Sequence, residues 1–269
     1  MTYQSRTEIR RLLERHGLNP RKSLGQHFLA DPNLIRKVVE VADVRAGDRV
    51  VEVGAGTGAL TGALAATGAR VVAYELDERL RPVLEETLAT TSVDLRFLDV
   101  MDVDLQAELE GERWKLVANL PYNVGTPLIL DVLKRVRKIT SLTVMVQDEV
   151  ADRLAAAPGT SDYGVPSVVV ALCGRLVERF FVPPQVFVPA PQVDSAVVRI
   201  DRVEPPPRWE EAVEIARRAF GQRRKMLRRS LADLVSESAY TRAGVDPMSR
   251  PEDLSPLDFV ALAEAVADE

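Results

Sequence analysis

Asn119, Leu120, Pro121 and Tyr122 follow directly on the apolar run WKLVA. A buried strand more often ends in turn residues such as Asn-Gly or Gly-Pro. Here an amide and a phenol flank a proline that fixes the backbone between them. Side chains of these two types, held at a defined separation, suit recognition of a flat molecule that forms hydrogen bonds.

A second group lies upstream in VVEVGAGTGAL, where Gly54, Gly56 and Gly58 end an apolar run. Residues without Cβ let the chain turn sharply and let a ligand approach the backbone. Gly54, Gly56 and Ala59 also satisfy the dinucleotide spacing G-x-G-x-x-G/A, so the glycines alone do not separate NAD from S-adenosylmethionine. Glu52 tilts the choice, because a carboxylate there would repel a pyrophosphate and suits a ligand carrying a sulfonium and an ammonium. Glu75 ends the next apolar run, where its carboxylate can accept both hydroxyls of a ribose in either cofactor. Asp99, in RFLDVMDVDL, could accept from an adenine amino group or simply cap a turn. Together these residues favour a nucleoside-bearing methyl donor.

The elements that must position these groups are legible as alternating patterns. DRVVEVG, ARVVAYE, VDLRF, WKLVANL and SLTVMVQ read as strands. ALTGALAATG, DERLRPVLEETLA and TPLILDVLKRV between them read as helices. Such alternation implies a mostly parallel α/β sheet with helices on both faces. RLVERFFV and DSAVVRI, joined by PPQVFVPAPQV, suit an antiparallel edge. Asp31 followed by Pro32 signals a helix start in an N-terminal extension. EPPPRWE is the best linker, and EEAVEIARRAF, RRKMLRRSLADLV and LSPLDFVALAEAVA beyond it are helical in pattern. The expected organisation is a catalytic domain over 1–203 and a small helical domain over 204–269.

The bulk numbers fit this scheme. The chain has 269 residues, 46% hydrophobic and 28% charged, an ordinary soluble balance. Its single cysteine, Cys173, allows no internal disulfide and suits a reducing compartment. No apolar run has the length of a membrane span or a signal core, so a cytoplasmic protein is expected. The net charge of −5 argues weakly against nucleic acid, but the charge is unevenly spread. RRAFGQRRKMLRR, residues 217–229, holds seven basic side chains and no acidic one, and KRVRK and PRKSLGQH add two smaller basic segments. A confined basic patch on an acidic protein can still bind a polyanion. In RRKMLRRSLADL, Leu227, Leu231 and Leu234 fall on one helical face, with Lys225, Arg228 and Arg229 largely opposite. Arg223, Arg224, Lys225, Arg228 and Arg229 are therefore the candidate contacts to a polyanion such as RNA.

VEVGAGTGALT, ELD, the Asp99 segment and NLPY, in this order, resemble the motifs of Rossmann-like class I adenine-N6 methyltransferases. With RKSLGQHFL, VPPQVFVPAPQVDSAVVRI and AFGQRRKMLRRSL, the chain from about residue 20 onward resembles the bacterial small-subunit ribosomal RNA adenine dimethyltransferases. The first twenty residues carry no usable motif. The resemblance implies S-adenosylmethionine as co-substrate, no metal, and two adjacent adenosines in the 3′-terminal hairpin of 16S rRNA as target. A partly assembled small ribosomal subunit is the expected partner, and a monomer the expected state.

Carried over by residue, the resemblance implies that His27 and Leu29 help close over the donor. Gly54 begins the donor loop, Glu75 takes the ribose, Asp99 reads the donor's adenine, and Asn119 sits where donor and target meet. His27 stands where some members carry Asn. Asn119 and the Leu120 carbonyl would accept the two amine hydrogens, Pro121 would stiffen the loop, and Tyr122 would stack on the base. Phe187 would cover the base's other face, as in pockets that hold an extruded nucleotide, or else pack as a sheet-edge aromatic. Rival readings are a DNA or large-subunit rRNA adenine methyltransferase, a non-catalytic assembly factor on the same fold, and a nicotinamide oxidoreductase.

Overall fold

The computed structural model of the chain describes residues 4–122 and 124–268. Two units emerge, Met1–Ala151 with Leu176–Asp201, and Asp152–Arg175 with Arg202–Glu269. The expected division at 203 therefore needs a correction over 152–175, which groups with the C-terminal helices. The reason is packing: the helix Val165–Cys173 buries Val168, Val169, Leu172 and Cys173 and lies against the helices Trp209–Phe220 and Pro256–Ala267. A helix that is apolar nearly all round must be covered on several sides.

The strands in chain order are β1 (Phe28–Leu29), β2 (Arg49–Val53), β3 (Arg70–Glu75), β4 (Asp94–Phe97), β5 (Trp114–Asn119), β6 (Ile139–Gln147), β7 (Gly174–Val182), β8 (Phe187–Val188) and β9 (Ser195–Arg202). Seven of them form one sheet in the order β4-β3-β2-β5-β6-β9-β7. The β2, β3, β4, β5 and β6 pairings are parallel, whereas β6 and β9 run antiparallel. Val50, Val51, Val71, Val72, Leu116, Val117, Leu142 and Val144 are all buried, as strands covered on both faces require.

From β2 the chain goes outward to β3 and β4, then returns to the other side of β2 as β5 and β6. The strand order thus reverses between β2 and β5, and a crevice opens outside their carboxyl ends at such a switch point. Both motif groups picked out in the sequence sit at those two strand ends.

The remaining strands make a two-stranded antiparallel ribbon, with Phe28 opposite Val188 and Leu29 opposite Phe187. Ahead of it, the helix Arg6–Arg15 starts at a Ser5 capping box and buries Ile9, Leu12 and Leu13 in the core. Asp31 caps the helix Pro32–Val41 through the amides of Asn33 and Leu34.

In the second unit, Tyr163, Phe220 and Phe259 form an aromatic cluster, with ring centroids 5.7 and 6.1 Å apart. The helix expected over RRKMLRRSLADLV is reduced to Leu227–Ser230. The amides of Leu227 and Arg228 donate instead to the carbonyls of Ser249 and Pro247. Like charges four apart, Arg224 with Arg228 and Lys225 with Arg229, also disfavour a longer helix. Leu227 and Leu231 are buried as expected, but Val235 is buried where Leu234 is only half-covered.

Candidate active site

The donor loop begins where β2 ends. Gly54, Gly56 and Gly58 all have positive φ, at 81°, 58° and 81°. A Cβ on Gly54 would make only ordinary contacts, 3.5 Å from the Asn119 carbonyl oxygen and 3.6 Å from Pro121 Cδ, so it is the positive φ that calls for glycine here. The loop is braced by Glu75 at the end of β3. Its Oε2 accepts the Gly56 amide at 2.8 Å, and its Oε1 accepts the Asp77 amide at 2.8 Å. Each oxygen keeps a further lone pair, so the ribose role expected for this residue stays open to it.

One cleft is lined by His27, Leu29, Glu52, Gly54, Glu75, Asp99, Asn119, Leu120, Pro121 and Tyr122. Every donor-binding residue expected from the sequence is among them. Asp99 lines the cleft, and its Oδ1 caps a turn by accepting the Met101 amide at 2.9 Å. Leu76 and Leu98, both 53% exposed, also line the cleft and offer apolar surface to a flat ring.

Asn119 closes β5. Its Nδ2 donates to the His27 carbonyl at 3.0 Å, which turns the amide so that Oδ1 is the atom left to accept. The following amide, Leu120 N, donates to the Met145 carbonyl at 3.2 Å and ties the loop to β6. The Tyr122 hydroxyl shares a 2.9 Å hydrogen bond with Ser195 Oγ, and Ser195 is fully buried. The Tyr122 and His27 rings are stacked, with centroids 5.5 Å apart and planes 27° from parallel. His27 Nδ1 lies 2.8 Å from the Pro189 carbonyl, which makes Nδ1 the donor and fixes the ring's orientation.

Two residues in this network escaped the sequence reading. Ser195 and Pro189 belong to the segment that follows β8, and both act on the NLPY loop or its neighbour His27. The signal was present in VPAPQVDS, where prolines fix a path into β9. What the serine bonds to is a long-range fact that no local pattern carries.

Phe187 requires a correction. It is 1% exposed, pairs with Leu29 in the ribbon, and belongs to the hydrophobic core rather than to the cleft lining. In this position it packs against the core, which is the sheet-edge alternative read from the sequence, and does not line the cleft. The stacked Tyr122 and His27 rings line the cleft, as do Phe28 and Tyr74.

Electrostatics in the cleft centre on Glu52, which is 1% exposed. Burial pushes its carboxyl up to about 8, against the opposing effect of the Thr61 hydroxyl and with a further upward push from Glu75. Burial raises Glu75 as well, opposed by the Asp77 and Gly56 amides. Glu52 Oε2 has no hydrogen-bond partner. A buried carboxyl oxygen lacking a partner beside a glycine cradle fits a ligand that brings cationic groups, as S-adenosylmethionine does. No group of three or more potential metal ligands occurs among the described residues.

Of the five candidate RNA contacts, four stand out in solvent. Arg224, Lys225, Arg228 and Arg229 are exposed. Arg223 is different: it donates to the carbonyls of Tyr163 at 3.0 Å and Thr160 at 3.1 Å, and lies 3.7 Å from Glu252. Its guanidinium is committed to holding the second unit together.

The chain was compared with known proteins. Residues 17–268 match the family model described as ribosomal RNA adenine dimethylase. The chain is 45% identical over 269 residues to the ribosomal RNA small subunit methyltransferase A of Phenylobacterium zucineum, covering 98% of this chain and 94% of that one. Among solved structures it is similar to a dimethyladenosine transferase from Plasmodium falciparum, with a TM-score of 0.73, 22% identity, and coverage of 88% and 96%. It is also similar to the 23S rRNA methyltransferase ErmE, with a TM-score of 0.67, 27% identity, and coverage of 89% and 99%. The chain therefore belongs to the ribosomal RNA adenine dimethylase family and is an S-adenosylmethionine-dependent rRNA adenine dimethyltransferase.

Proposed function

We propose that this enzyme dimethylates N6 of two adjacent adenosines in the 3′-terminal hairpin of 16S rRNA, acting as a cytoplasmic monomer on a partly assembled small subunit. The similarity over 98% of the chain to a methyltransferase named for the small subunit carries the choice of substrate. The cleft lining comes wholly from one unit of the chain.

An adenine N6 amine is a poor nucleophile, because its lone pair is delocalised into the ring. S-adenosylmethionine, when bound, supplies a methyl group on an electrophilic sulfonium. Asn119 Oδ1 and the Leu120 carbonyl can accept the two amine hydrogens and favour a pyramidal nitrogen with an available lone pair. As the N6–carbon bond forms, the methyl–sulfur bond breaks and its electron pair stays on sulfur, leaving the neutral thioether S-adenosylhomocysteine; the positive charge now on N6 is stabilised by these acceptors and the Tyr122 face. The surplus proton on N6 then passes to water. No side chain has to act as a base, and catalysis is mainly positioning. The second methylation needs the same acceptors, with one amine hydrogen fewer.

The test is mass spectrometry of rRNA fragments after unmethylated small subunits are incubated with enzyme and donor. Dimethyladenosine at two neighbouring positions is expected. Asn119→Ala should lower product formation by roughly 10²-fold or more while RNA binding persists. Product on large-subunit rRNA instead, or full activity in Asn119→Ala, would overturn the reading.

A further inference from the structure

The first twenty residues carry no recognisable motif, yet the structure connects them to the donor loop. Gln4 immediately precedes the Ser5 cap and is only 6% exposed. Its Nε2 donates to the Thr57 carbonyl at 2.7 Å and lies 3.4 Å from Thr87 Oγ1. Thr57 is 2% exposed, stands between Gly56 and Gly58, and lines the donor cleft. We propose that Gln4 is a positioning residue for the donor: its amide fixes the Thr57 carbonyl and so sets the shape of the loop that receives S-adenosylmethionine.

The argument rests on where the two ends of this contact are anchored. At one end, the helix Arg6–Arg15 is held by the buried Ile9, Leu12 and Leu13. Arg6 Nη1 adds a 2.9 Å bond to the Gln185 carbonyl, and Arg15 and His16 both pair with Glu86. Gln4 therefore projects from a fixed support. At the other end, three glycines with positive φ in five residues give the loop more conformational freedom than any other stretch of the cleft. Glu75 restrains it through Gly56 N, and Gln4 restrains it at the next residue through Thr57 O.

The placement of Gln4 is costly, which argues for a role. Its Oε1 is buried with no hydrogen-bond partner. A buried polar atom left unpaired is unfavourable, and an apolar residue would avoid that cost. What an apolar residue cannot do is donate to the loop carbonyl. The donor loop is thus completed by a segment some fifty residues away in sequence, and the N-terminal helix becomes part of the donor site.

This inference depends on the cleft being the donor site, and its test separates the two. Binding of S-adenosylhomocysteine is measured by calorimetry for the natural protein, Gln4→Met, Gln4→Ala and Glu86→Ala. Failure of the natural protein to bind would remove the donor-site reading itself. Given binding, Gln4→Met keeps length and bulk but loses the donor atom. It should weaken Kd by roughly 3- to 10-fold, the range for loss of one hydrogen bond to a buried carbonyl. Gln4→Ala should do the same. Turnover at saturating donor should stay within about twofold of the natural protein, placing the loss in KM rather than kcat. Glu86→Ala loosens the same helix at its far end and should lower Tm with Kd unchanged. A natural Kd in Gln4→Met overturns the proposal, as does an equal loss of affinity in Glu86→Ala, which would make the helix merely structural.

Discussion

Asn119 is held by the main chain of a segment 92 residues earlier, through His27, and Tyr122 by a hydroxyl 73 residues later, through Ser195. The chemistry of the site is thus written at three separate places in the chain. If the Tyr122 hydroxyl serves only to be held, Ser195→Ala and Tyr122→Phe should each lower kcat by about 3- to 10-fold. The double variant should be no worse than either single one, and a thermodynamic cycle on kcat measures this. Additive losses would show that the two groups act separately. Glu52 gives a pH-dependent expectation. Its folded-state value, about 8, lies above the ordinary 4.5, so the ligand-free protein keeps it protonated where the unfolded chain would ionise it. This contribution to stability is complete below about 4.5 and is lost as pH rises through about 8. Glu52→Gln should remove that slope, so that its Tm advantage over the natural protein widens from about pH 5 to about pH 8 in ligand-free scans. Parallel Tm profiles for the two proteins would contradict the assigned burial effect.

Among the elements, those that alternate or run apolar for five residues or more were legible in advance. The first four strand readings, DRVVEVG, ARVVAYE, VDLRF and WKLVANL, correspond to β2, β3, β4 and β5, the last of which ends at Asn119. The ribbon of β1 and β8 was not legible, because two residues have no period and their pairing spans some 160 residues. Its absence from the reading is also why Phe187 was assigned to the cleft: an aromatic in a proline-rich turn looks exposed until its partner strand is known. The helix Val165–Cys173 was missed for a different reason. VPSVVVALC is β-branched and nearly all apolar, so neither period shows. The basic segment was misread as one amphipathic helix because leucine spacing was the local signal, while the carbonyls of Pro247 and Ser249 that take the amides of Leu227 and Arg228 and so set where the helix begins lie about twenty residues on. In the site itself, the residue types were readable and the partners were not. Gly54, Glu75, Asp99 and Asn119 announce their chemistry by position after a strand, whereas Ser195, Pro189 and Gln4 act only through folding.

For the whole molecule, sign and placement of charge matter more than the total of −5. Of the candidate contacts, Arg224, Lys225, Arg228 and Arg229 stand exposed, whereas Arg223 donates to the carbonyls of Thr160 and Tyr163. Arg229→Ala should weaken rRNA binding and flatten the slope of log K against log salt by roughly 0.7 to 0.9, with donor affinity unchanged. Arg223→Ala should chiefly lower Tm, because two carbonyls of the second unit lose their donor. Equal salt slopes in Arg229→Ala and the natural protein would take that arginine out of the interface. The way the second unit is assembled has a practical side. It is stitched from two stretches of chain, one of which, 152–175, interrupts the catalytic unit. Cutting the polypeptide at the proline-rich EPPP would therefore not yield a clean catalytic fragment. It would strand a greasy valine helix with its cover removed, and a minimal enzyme has to lose both stretches or neither.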